Sequence, residues 1–419
     1  MSIPQAGESG ESVHVPLGEG LPKGPPAPSL LDPSGPERIL GGADPMMGPV
    51  APARDSMFGP RGALLLGDDG PLLVCDTGHH RILGWHRVPA QDGAPADFVL
   101  GQPGFDREGR NALDEPSAST LNVPCGIAPF GERGLAVADS WNNRVLIWNE
   151  VPTRSGVPAD LVLGQADFDG IEPNRGMLDG GAEEGTPEAG ADTLHWPFQV
   201  MVHDGRLYVA DAGNRRVLVW RTLPTRNGQP ADFVLGQDTL QARSDNGGGD
   251  PGPTGMRWPH DLAVVDGDLV VTDAGDNRVM IWDGLPDAIN VPAARVLGQP
   301  DFHKVDHNQS RYWPDAACLN MPYAVAAGAG WLIAGDTANS RIVGWKVADG
   351  LQTGSAAVAL AGQEHFGQKG DNRWGDTARD SLCWPYGLQI LGNLAVVADT
   401  GNHRILLWRL AAPVAEVEG

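Results

Sequence analysis

The sequence predicts an all-β fold, a six-bladed β-propeller with four-stranded blades, and three observations support this prediction. One ten-residue pattern, running from an aspartate to a tryptophan, occurs six times at intervals of 62 to 72 residues. Each copy lies in a longer unit with four short apolar runs bounded by Gly, Pro, Asn and Asp. A chain with 57 glycines and 36 prolines that is still 41% hydrophobic is typical of short strands joined by tight turns.

The repeated pattern places the strands of each unit, which we name A to D in chain order. Strand A follows a proline, strand B ends at the aspartate, strand C ends at the tryptophan, and strand D is a run such as VLGQ. The six copies are Asp76 to Trp85, Asp139 to Trp148, Asp211 to Trp220, Asp273 to Trp282, Asp336 to Trp345 and Asp399 to Trp408.

The two ends of the repeat region are expected to share one blade. The sixth unit ends near Trp408 without a D strand, whereas Arg38 to Gly42 (RILGG) stands as an extra D strand before the first unit. Pairing these segments closes the ring and removes open sheet edges. We therefore expect a propeller over residues 37–410, a flexible Pro/Gly-rich N-terminal tail over 1–36 and a short C-terminal tail over 411–419.

The charge of the chain limits its partners. A formal net charge of −23 repels nucleic acid and anionic membrane surfaces, so neither is expected as a partner. A basic protein surface, a cationic ligand or a metal ion is electrostatically easier. The sequence begins without a basic and apolar leader, which predicts a cytoplasmic protein with reduced cysteines.

The repeat resembles the NHL repeat over roughly residues 37 to 410. The similarity lies in a proline, an apolar strand, a turn and then V-A-D-x-x-N-x-R followed by Ile or Val, and Asp399 to Ile405 (DTGNHRI) is close to the usual form. The A-D-x-V-L-G-Q continuation is similar to a widespread bacterial subgroup. This resemblance implies the propeller fold and leaves the chemistry open.

The repeated side chains are expected to be structural, because a catalytic site needs one constellation and not six equal ones. Each aspartate is expected to accept backbone N–H groups in the turn between strands B and C, and each arginine to pair with it. The tryptophans are expected to fill the space between blades. Five asparagines after the D strands are expected to fix loops, namely Asn111, Asn174, Asn246, Asn308 and Asn372.

Candidate site residues are those at which the repeats differ. The residue after each strand A proline should line the mouth of the central tunnel, and these six differ chemically: Arg61, Cys125, Phe198, His260, Tyr323 and Tyr386. Asp261 follows one of them, and Trp196, Trp258 and Trp384 precede prolines. This aromatic mouth could hold a small ligand, and His260, Cys125, His195 and Cys383 could hold a divalent or soft transition metal. Tyr323 and Tyr386 are the candidates for a catalytic acid or base.

One segment is similar to a zinc enzyme on the same fold. Pro259, His260 and Asp261 resemble the Pro-His metal-ligand segments of peptidylamidoglycolate lyase, whose tunnel histidines bind zinc. That enzyme uses three such histidines, whereas His260 is the only histidine among the six equivalent positions here. The gluconolactonase-like hydrolases hold a divalent ion with Glu, Asn and Asp; here Asp261 has no matching glutamate.

Acidic loops provide a second candidate surface. The longest connection, Asp167 to Asp192, carries eight acidic residues: Asp167, Asp169, Glu172, Asp179, Glu183, Glu184, Glu188 and Asp192. The favoured hypothesis is a non-enzymatic interaction scaffold that docks a protein or peptide on this acidic loop face and the tunnel mouth. The alternatives are a metal-dependent lyase or hydrolase in the tunnel, and a small-ligand or cofactor-binding protein that uses the aromatic mouth.

Overall fold

The chain folds into six four-stranded antiparallel sheets arranged in a ring, an all-β β-propeller, in a computed structural model that describes residues 22–42, 50–176 and 189–411. The innermost strands of neighbouring blades contact each other in a closed circle and line the central tunnel. No helix in these three ranges is long and apolar enough to cross a membrane.

Each blade is one predicted repeat unit, with its strands in the order A to D from the tunnel outward. Blade 1 contains β2 (Gly62–Leu65), β3 (Leu72–Asp76), β4 (Arg81–Trp85) and β5 (Phe98–Leu100). Blade 2 contains β6 (Pro124–Phe130), β7 (Gly134–Asp139), β8 (Arg144–Trp148) and β9 (Leu161–Leu163). Blade 3 contains β10 (Pro197–His203), β11 (Arg206–Asp211), β12 (Arg216–Trp220) and β13 (Phe233–Leu235).

The remaining blades follow the same order. Blade 4 contains β14 (Pro259–Val265), β15 (Asp268–Asp273), β16 (Arg278–Ile281) and β17 (Arg295–Leu297). Blade 5 contains β18 (Pro322–Gly328), β19 (Trp331–Asp336), β20 (Arg341–Lys346) and β21 (Ala359–Ala361). Blade 6 contains β22 (Pro385–Leu391), β23 (Leu394–Asp399), β24 (Arg404–Arg409) and β1 (Arg38–Gly41).

The predicted closure of the ring is confirmed. Strand β1 pairs with β24 in antiparallel register, and Arg38, Ile39 and Leu40 face Leu407, Leu406 and Ile405. The sheet order β1-β24-β23-β22 makes the N-terminal strand the D strand of the last blade. The propeller is therefore closed by backbone hydrogen bonds between its two ends, which leaves no gap between the first and last blades.

Short 3₁₀ turns mark the connections on one face of the disc, which we call the upper face. The B-to-C turns contain Thr77–His79, Ser140–Asn142, Ala212–Asn214, Ala274–Asp276, Thr337–Asn339 and Thr400–Asn402. The D-to-A connections contain Arg110–Leu113, Pro173–Arg175, Asp245–Gly248, His307–Ser310 and Asp371–Trp374. A further 3₁₀ turn, Val347–Asp349, lies in the C-to-D connection of blade 5, on the opposite face. Backbone hydrogen bonds such as Gly78 N–H to Phe58 O, 2.8 Å, hold the two kinds of connection together.

The hydrophobic core is divided into six clusters, each formed by two neighbouring blades. In the cluster between blades 1 and 2, Trp148 packs with Leu73, Ile82, Leu135 and other buried side chains. Its indole N–H donates to the Val157 carbonyl at 3.0 Å, and the equivalent tryptophans make the same kind of bond. The prediction that the repeated tryptophans fill the space between blades is confirmed; each such burial contributes on the order of 3 kcal/mol.

The structured region begins earlier than predicted. The sequence predicts a flexible tail over residues 1–36, but Leu30 and Leu31 are buried in the cluster between blades 5 and 6. Leu30 N–H donates to Leu360 O at 2.9 Å, and the Trp408 indole N–H donates to Asp32 O at 2.8 Å. The correction has a simple cause: two adjacent leucines provide enough apolar surface to fix a proline-rich segment. Residues 1–21 and 412–419 of the predicted tails lie outside the described residues.

Candidate functional site: the tunnel and its upper mouth

The repeated aspartate and arginine hold the segment that leads into each A strand. In blade 1, Asp76 Oδ2 accepts a hydrogen bond from Arg81 Nε at 2.7 Å, and both side chains are fully buried. Asp76 Oδ1 accepts the backbone N–H of Phe58 at 2.7 Å. The predicted ion pair is confirmed, but the expected acceptance of N–H groups in the B-to-C turn is wrong. The carboxylate instead anchors the chain just before strand A, because that backbone would otherwise be buried without partners.

The other blades repeat this arrangement. The equivalent donors before strand A are the N–H groups of Asn122, His195, Arg257, Asn320 and Cys383, at 2.7 to 2.9 Å from their aspartates. A buried charge pair with all its hydrogen bonds made is a rigid support. The residues at the tunnel mouth are therefore fixed in position by the repeated scaffold beneath them.

The loop asparagines also behave as predicted. Asn111 donates to Asn142 Oδ1 at 3.2 Å, and Asn142 donates in return to Asn111 Oδ1 at 2.7 Å. Asn142 belongs to the B-to-C turn of blade 2 and also donates to Asp139. The same pairing joins three other D-to-A loops to the next blade, through Asn174 and Asn214, Asn308 and Asn339, and Asn372 and Asn402. Its partner asparagine was part of the repeated pattern, although its role was not predicted.

The six variable residues that follow the strand A prolines come together in the tunnel, where Arg61, Cys125, Phe198, His260, Tyr323 and Tyr386 form a closed ring that we call the girdle. The His260 ring lies 4.2 Å from that of Phe198 and 4.3 Å from that of Tyr323, centroid to centroid. Tyr323 stacks on Tyr386 at 4.5 Å with an angle of 9° between the rings.

Arg61 completes the girdle. Its guanidinium lies 4.8 Å from the centroid of the Tyr386 ring, and Nη1 lies 3.8 Å from the sulfur of Cys125. The space left at the centre is only about 20 Å³, close to the volume that one water molecule needs. The six side chains of the girdle therefore fill most of the tunnel at this level.

The girdle holds His260, Tyr323 and Tyr386 in their neutral forms. Burial, together with the nearby Arg61 cation, lowers the pKa of His260 to about 3, despite the hydrogen bond between Nδ1 and Trp258 O at 2.9 Å. Burial raises the pKa of both Tyr323 and Tyr386 above the ordinary value. A neutral histidine and two neutral phenols surround one permanent charge. The proposed acid or base role of Tyr323 and Tyr386 stays a prediction.

Asp261 lies below the girdle beside a second cavity of about 170 Å³. Its carboxyl group is buried and accepts the N–H groups of Leu262 at 2.8 Å and Val325 at 2.9 Å. Burial raises its pKa to about 7. The hydrogen bond to Val325 connects the A strands of blades 4 and 5, so Asp261 also joins neighbouring blades.

Above the girdle, a cleft of about 700 Å³ opens on the upper face over blades 6, 1 and 2. We call it the upper cleft. Its walls include Phe58, Val123, Trp141 and Trp384, and Arg61 and Tyr386 line it from the girdle side. The exposed surface of this cleft is mainly apolar, which suits an organic ligand or an apolar side chain.

Three of these wall residues, Phe58, Val123 and Trp141, were not predicted. Trp141 occupies the second position after the repeated aspartate, where the other copies have Gly78, Gly213, Gly275, Ala338 and Gly401. This replacement of a small residue by tryptophan is a break in the repeat that the sequence already contained. Phe58 lies in the irregular connection before the first A strand and carried no repeat signal.

The tryptophans that precede strand A are accessible on the upper face. Trp196, Trp258 and Trp384 are 49%, 38% and 42% exposed, and Trp141 is 43% exposed. Trp384 lines the upper cleft, whereas Trp196 and Trp258 lie on the blades opposite or adjacent to it. These four side chains give the upper face an aromatic surface around the tunnel.

The four proposed metal ligands are not all brought together, because only His260 and Cys125 lie in the girdle. His195 belongs to blade 3 and Cys383 to blade 6, on opposite sides of the ring and outside the girdle. Cys383 is buried, and its burial raises the pKa of the thiol. Within residues 22–42, 50–176 and 189–411, no group of three His, Cys, Asp or Glu side chains is arranged to hold a metal ion.

Part of the acidic loop can be placed. Asp192 pairs with Arg175 at 2.5 Å, and Asp167 accepts the N–H groups of Asp169 and Gly170. Four of its acidic residues, Asp179, Glu183, Glu184 and Glu188, lie outside the described residues. The side chains of Asp167 and Asp192 therefore stabilise the loop itself.

Comparisons with known proteins bear on the fold. The family model described as NHL repeat matches residues 256–282, which run from the segment before β14 to the tryptophan of blade 4. No curated protein matches the chain.

Three solved structures similar to the chain share little sequence identity with it. The WD40 β-propeller domain of Doa1 is 10% identical, with 91% of this chain and 97% of that chain covered and a TM-score of 0.41. U3-55K is 12% identical, with 91% and 100% covered and a TM-score of 0.45. A protein of unknown function from Bacteroides thetaiotaomicron is 14% identical, with 90% and 74% covered and a TM-score of 0.45.

The Asp-to-Trp pattern in blade 4, which lies within the segment matched by the family model, has the same strand-pairing register as the other five copies. All six copies occupy equivalent positions in the sheets. The chain is an NHL-repeat six-bladed β-propeller.

Proposed function

We propose that the protein is a non-enzymatic, cytoplasmic interaction scaffold that docks a protein or peptide on its upper face. The observation that carries the proposal is the set of exposed tryptophans around the tunnel mouth, Trp141, Trp196, Trp258 and Trp384. Large aromatic side chains exposed together on a rigid surface are typical of binding sites, because they bury much area at little entropic cost.

The scaffold beneath this surface supports the same proposal. The buried Asp–Arg pairs fix the segment before each A strand, and that segment carries Trp196, Trp258 and Trp384. Binding residues that are already held in place lose little freedom when a partner arrives. Six equal copies of the pair serve this supporting role and provide no single catalytic constellation.

The charge of the chain indicates the kind of partner. A net charge of −23, with acidic residues in the D-to-A loops, favours a partner whose contact surface is basic around an apolar centre. The four cysteines lie in the described parts of the chain, where they are buried and form no disulfide bond, in keeping with a reducing compartment.

The proposal is tested by comparing three forms of the full chain as baits in a cross-linked extract from its source organism. The forms are wild type, a double variant with Trp196→Ser and Trp258→Ser, and the control Ile289→Ser, which removes an exposed apolar side chain from the opposite, C-to-D turn side. We expect wild type and the control to capture the same partner proteins, and the double variant to lose them. Capture of these partners should also fall with added salt. The same captured set on all three baits would contradict docking on the upper face.

A further inference from the structure

Arg61 is an unusual residue for the centre of this protein. It is a half-buried cation in the tunnel, and no carboxylate in the described parts of the chain lies within ion-pair distance of its guanidinium. Its recorded side-chain neighbours are the Cys125 sulfur at 3.8 Å and the faces of Tyr386 and Phe198, at 4.8 and 6.0 Å. In contrast, the arginine of every repeat is paired with an aspartate. A cation in such an apolar setting favours an anionic ligand.

The neighbouring groups leave this charge uncompensated. His260 is neutral because burial lowers its pKa to about 3, and burial also lowers the pKa of His403 in the wall of the cleft. His403 Nδ1 accepts a hydrogen bond from the Gly59 N–H at 3.1 Å, so this nitrogen carries no proton. Burial alone would lower the pKa of Arg61, but Cys125 and Tyr386 produce a net increase, so the guanidinium remains charged.

The other residues of the upper cleft limit the chemical class of an anionic ligand that could bind there. Its walls are the apolar side chains of Phe58, Val123, Trp141 and Trp384. A second positive group lies at the rim, where the exposed Arg110 guanidinium is 4.7 Å from the centroid of a Trp141 ring. One carboxylate, Asp371, lies in the wall and accepts the Ser340 hydroxyl at 2.6 Å. Asp371 disfavours a ligand with several negative charges.

We propose that the upper cleft binds a small organic monocarboxylate with an aromatic or planar apolar body. The carboxylate would bind the guanidinium of Arg61 at the girdle, and the body would lie against Trp141, Trp384 and Phe58. A volume of about 700 Å³ is in the range of small-molecule sites. Guanidinium groups match carboxylates in geometry and charge, and burial strengthens such a pair. The cleft shares Trp141 and Trp384 with the tryptophans proposed to dock a protein, but its ligand is a small molecule tested on the purified chain, so its binding does not depend on a protein partner.

The experiment compares an acid with its uncharged counterpart. Biphenylcarboxylate and biphenylcarboxamide are titrated into the purified full chain, and binding is measured by calorimetry and by quenching of tryptophan fluorescence. We expect saturable binding of the acid at sub-millimolar concentration, and at least about tenfold weaker binding of the amide, because the amide lacks the charge that pairs with Arg61.

Variants locate the site. Arg61→Gln should weaken acid binding by about tenfold or more and remove the preference for the acid, whereas Arg154→Gln, at an exposed arginine in a turn, should change neither. Trp384→Ala should weaken acid and amide alike, and Trp258→Ala, on the same face outside the cleft, should leave both unchanged. Circular dichroism and thermal melting verify that each variant is folded.

Several results would overturn the inference. These are equal affinity of the wild-type chain for acid and amide, unchanged acid binding by folded Arg61→Gln, or no saturable binding of the acid up to about 5 mM. If Arg61→Gln does not fold, the binding of acid and amide to the wild-type chain is compared at low and high salt. That comparison still shows whether the charge of the carboxylate contributes to binding. Loss of protein partners in the bait experiment would leave these results unchanged, so the two proposals fail independently.

Discussion

Leu40 and Ile405 face each other in one antiparallel ladder, although they stand at opposite ends of the propeller sequence. Both side chains are fully buried and pack in the cluster between blades 6 and 1. The closure of the ring thus depends on backbone pairing and on a hydrophobic contact between the two ends of the chain. This relationship gives the first testable prediction.

Leu40→Ala should lower the free energy of unfolding by about 3 kcal/mol. The substitution leaves a cavity in the buried cluster that joins the last blade to the first. The measurement is chemical denaturation followed by tryptophan fluorescence. Leu113→Ala is a suitable control, since Leu113 is 83% exposed and should change stability by less than about 0.5 kcal/mol. Equal stability of Leu40→Ala and wild type would contradict closure by this strand.

Arg216→Lys should destabilise the protein by about 3 kcal/mol although the charge is kept. Arg216 donates to Asp211 Oδ2 at 2.8 Å and to the carbonyls of Gly190 and Thr193 at 2.9 and 3.0 Å. A single ammonium group cannot reach all three acceptors, so buried oxygens lose their partners. Thermal unfolding of this variant is compared with that of Arg154→Lys at an exposed site. If Arg216→Lys and Arg154→Lys both had a similarly small effect, the positive charge alone would account for the contribution of Arg216 to stability.

Asp261 should make stability depend on pH near neutrality. Its pKa rises to about 7 in the folded chain from an ordinary value of 3.8, because it is buried. The folded state therefore holds this proton more tightly, and the contribution to stability is present at acidic pH and lost as pH rises through about 7. Between pH 5 and pH 8, wild type should lose about 2 kcal/mol of unfolding free energy relative to Asp261→Asn.

Urea denaturation of both proteins at a series of pH values measures that difference. Asparagine has nearly the same shape as aspartate and does not titrate, so other groups cancel in the comparison. A difference that stays constant from pH 5 to pH 8 would mean that Asp261 does not titrate in this range.

His260 should have the opposite pH dependence. Burial lowers its pKa to about 3 from an ordinary value of 6.5, so the folded state binds this proton less readily than the unfolded state. Its contribution to stability is present above about pH 6.5 and is lost as pH falls toward 3. Relative to His260→Phe, wild type should lose about 2 kcal/mol between pH 7 and pH 4.5. Histidine NMR provides a direct check, since a His260 titration near pH 6.5 would contradict the neutral girdle.

Metal content distinguishes the enzyme alternative from the scaffold. We expect far less than one equivalent of zinc, copper or iron in the purified, untagged protein, because the residues described contain no three-ligand cluster. Elemental mass spectrometry of wild type, His260→Ala and Cys125→Ala is the measurement. Near-stoichiometric metal that falls in either variant would favour a metal-dependent lyase or hydrolase in the tunnel.

The fold and the location of the girdle could be predicted because both follow from local periodicity. Six copies of Asp-to-Trp at near-constant spacing specify four strands per blade, and the residue after each proline must then face the tunnel. The pairing of Arg38 to Gly41 with the last strand could also be predicted, because the sixth unit lacks a D strand and the N-terminal end of the repeat region has an extra one.

The contacts of single side chains depended on the three-dimensional arrangement of the blades. No repeat signal indicated that Asp76 anchors Phe58, that Leu30 packs against blades 5 and 6, or that Arg61 is left without an acidic partner. These contacts join residues far apart in the chain, and a pattern within one unit contains no information about them. Repetition thus determines where strands and tunnel lie, whereas the packing of unlike residues from different blades determines the charge and shape of the site.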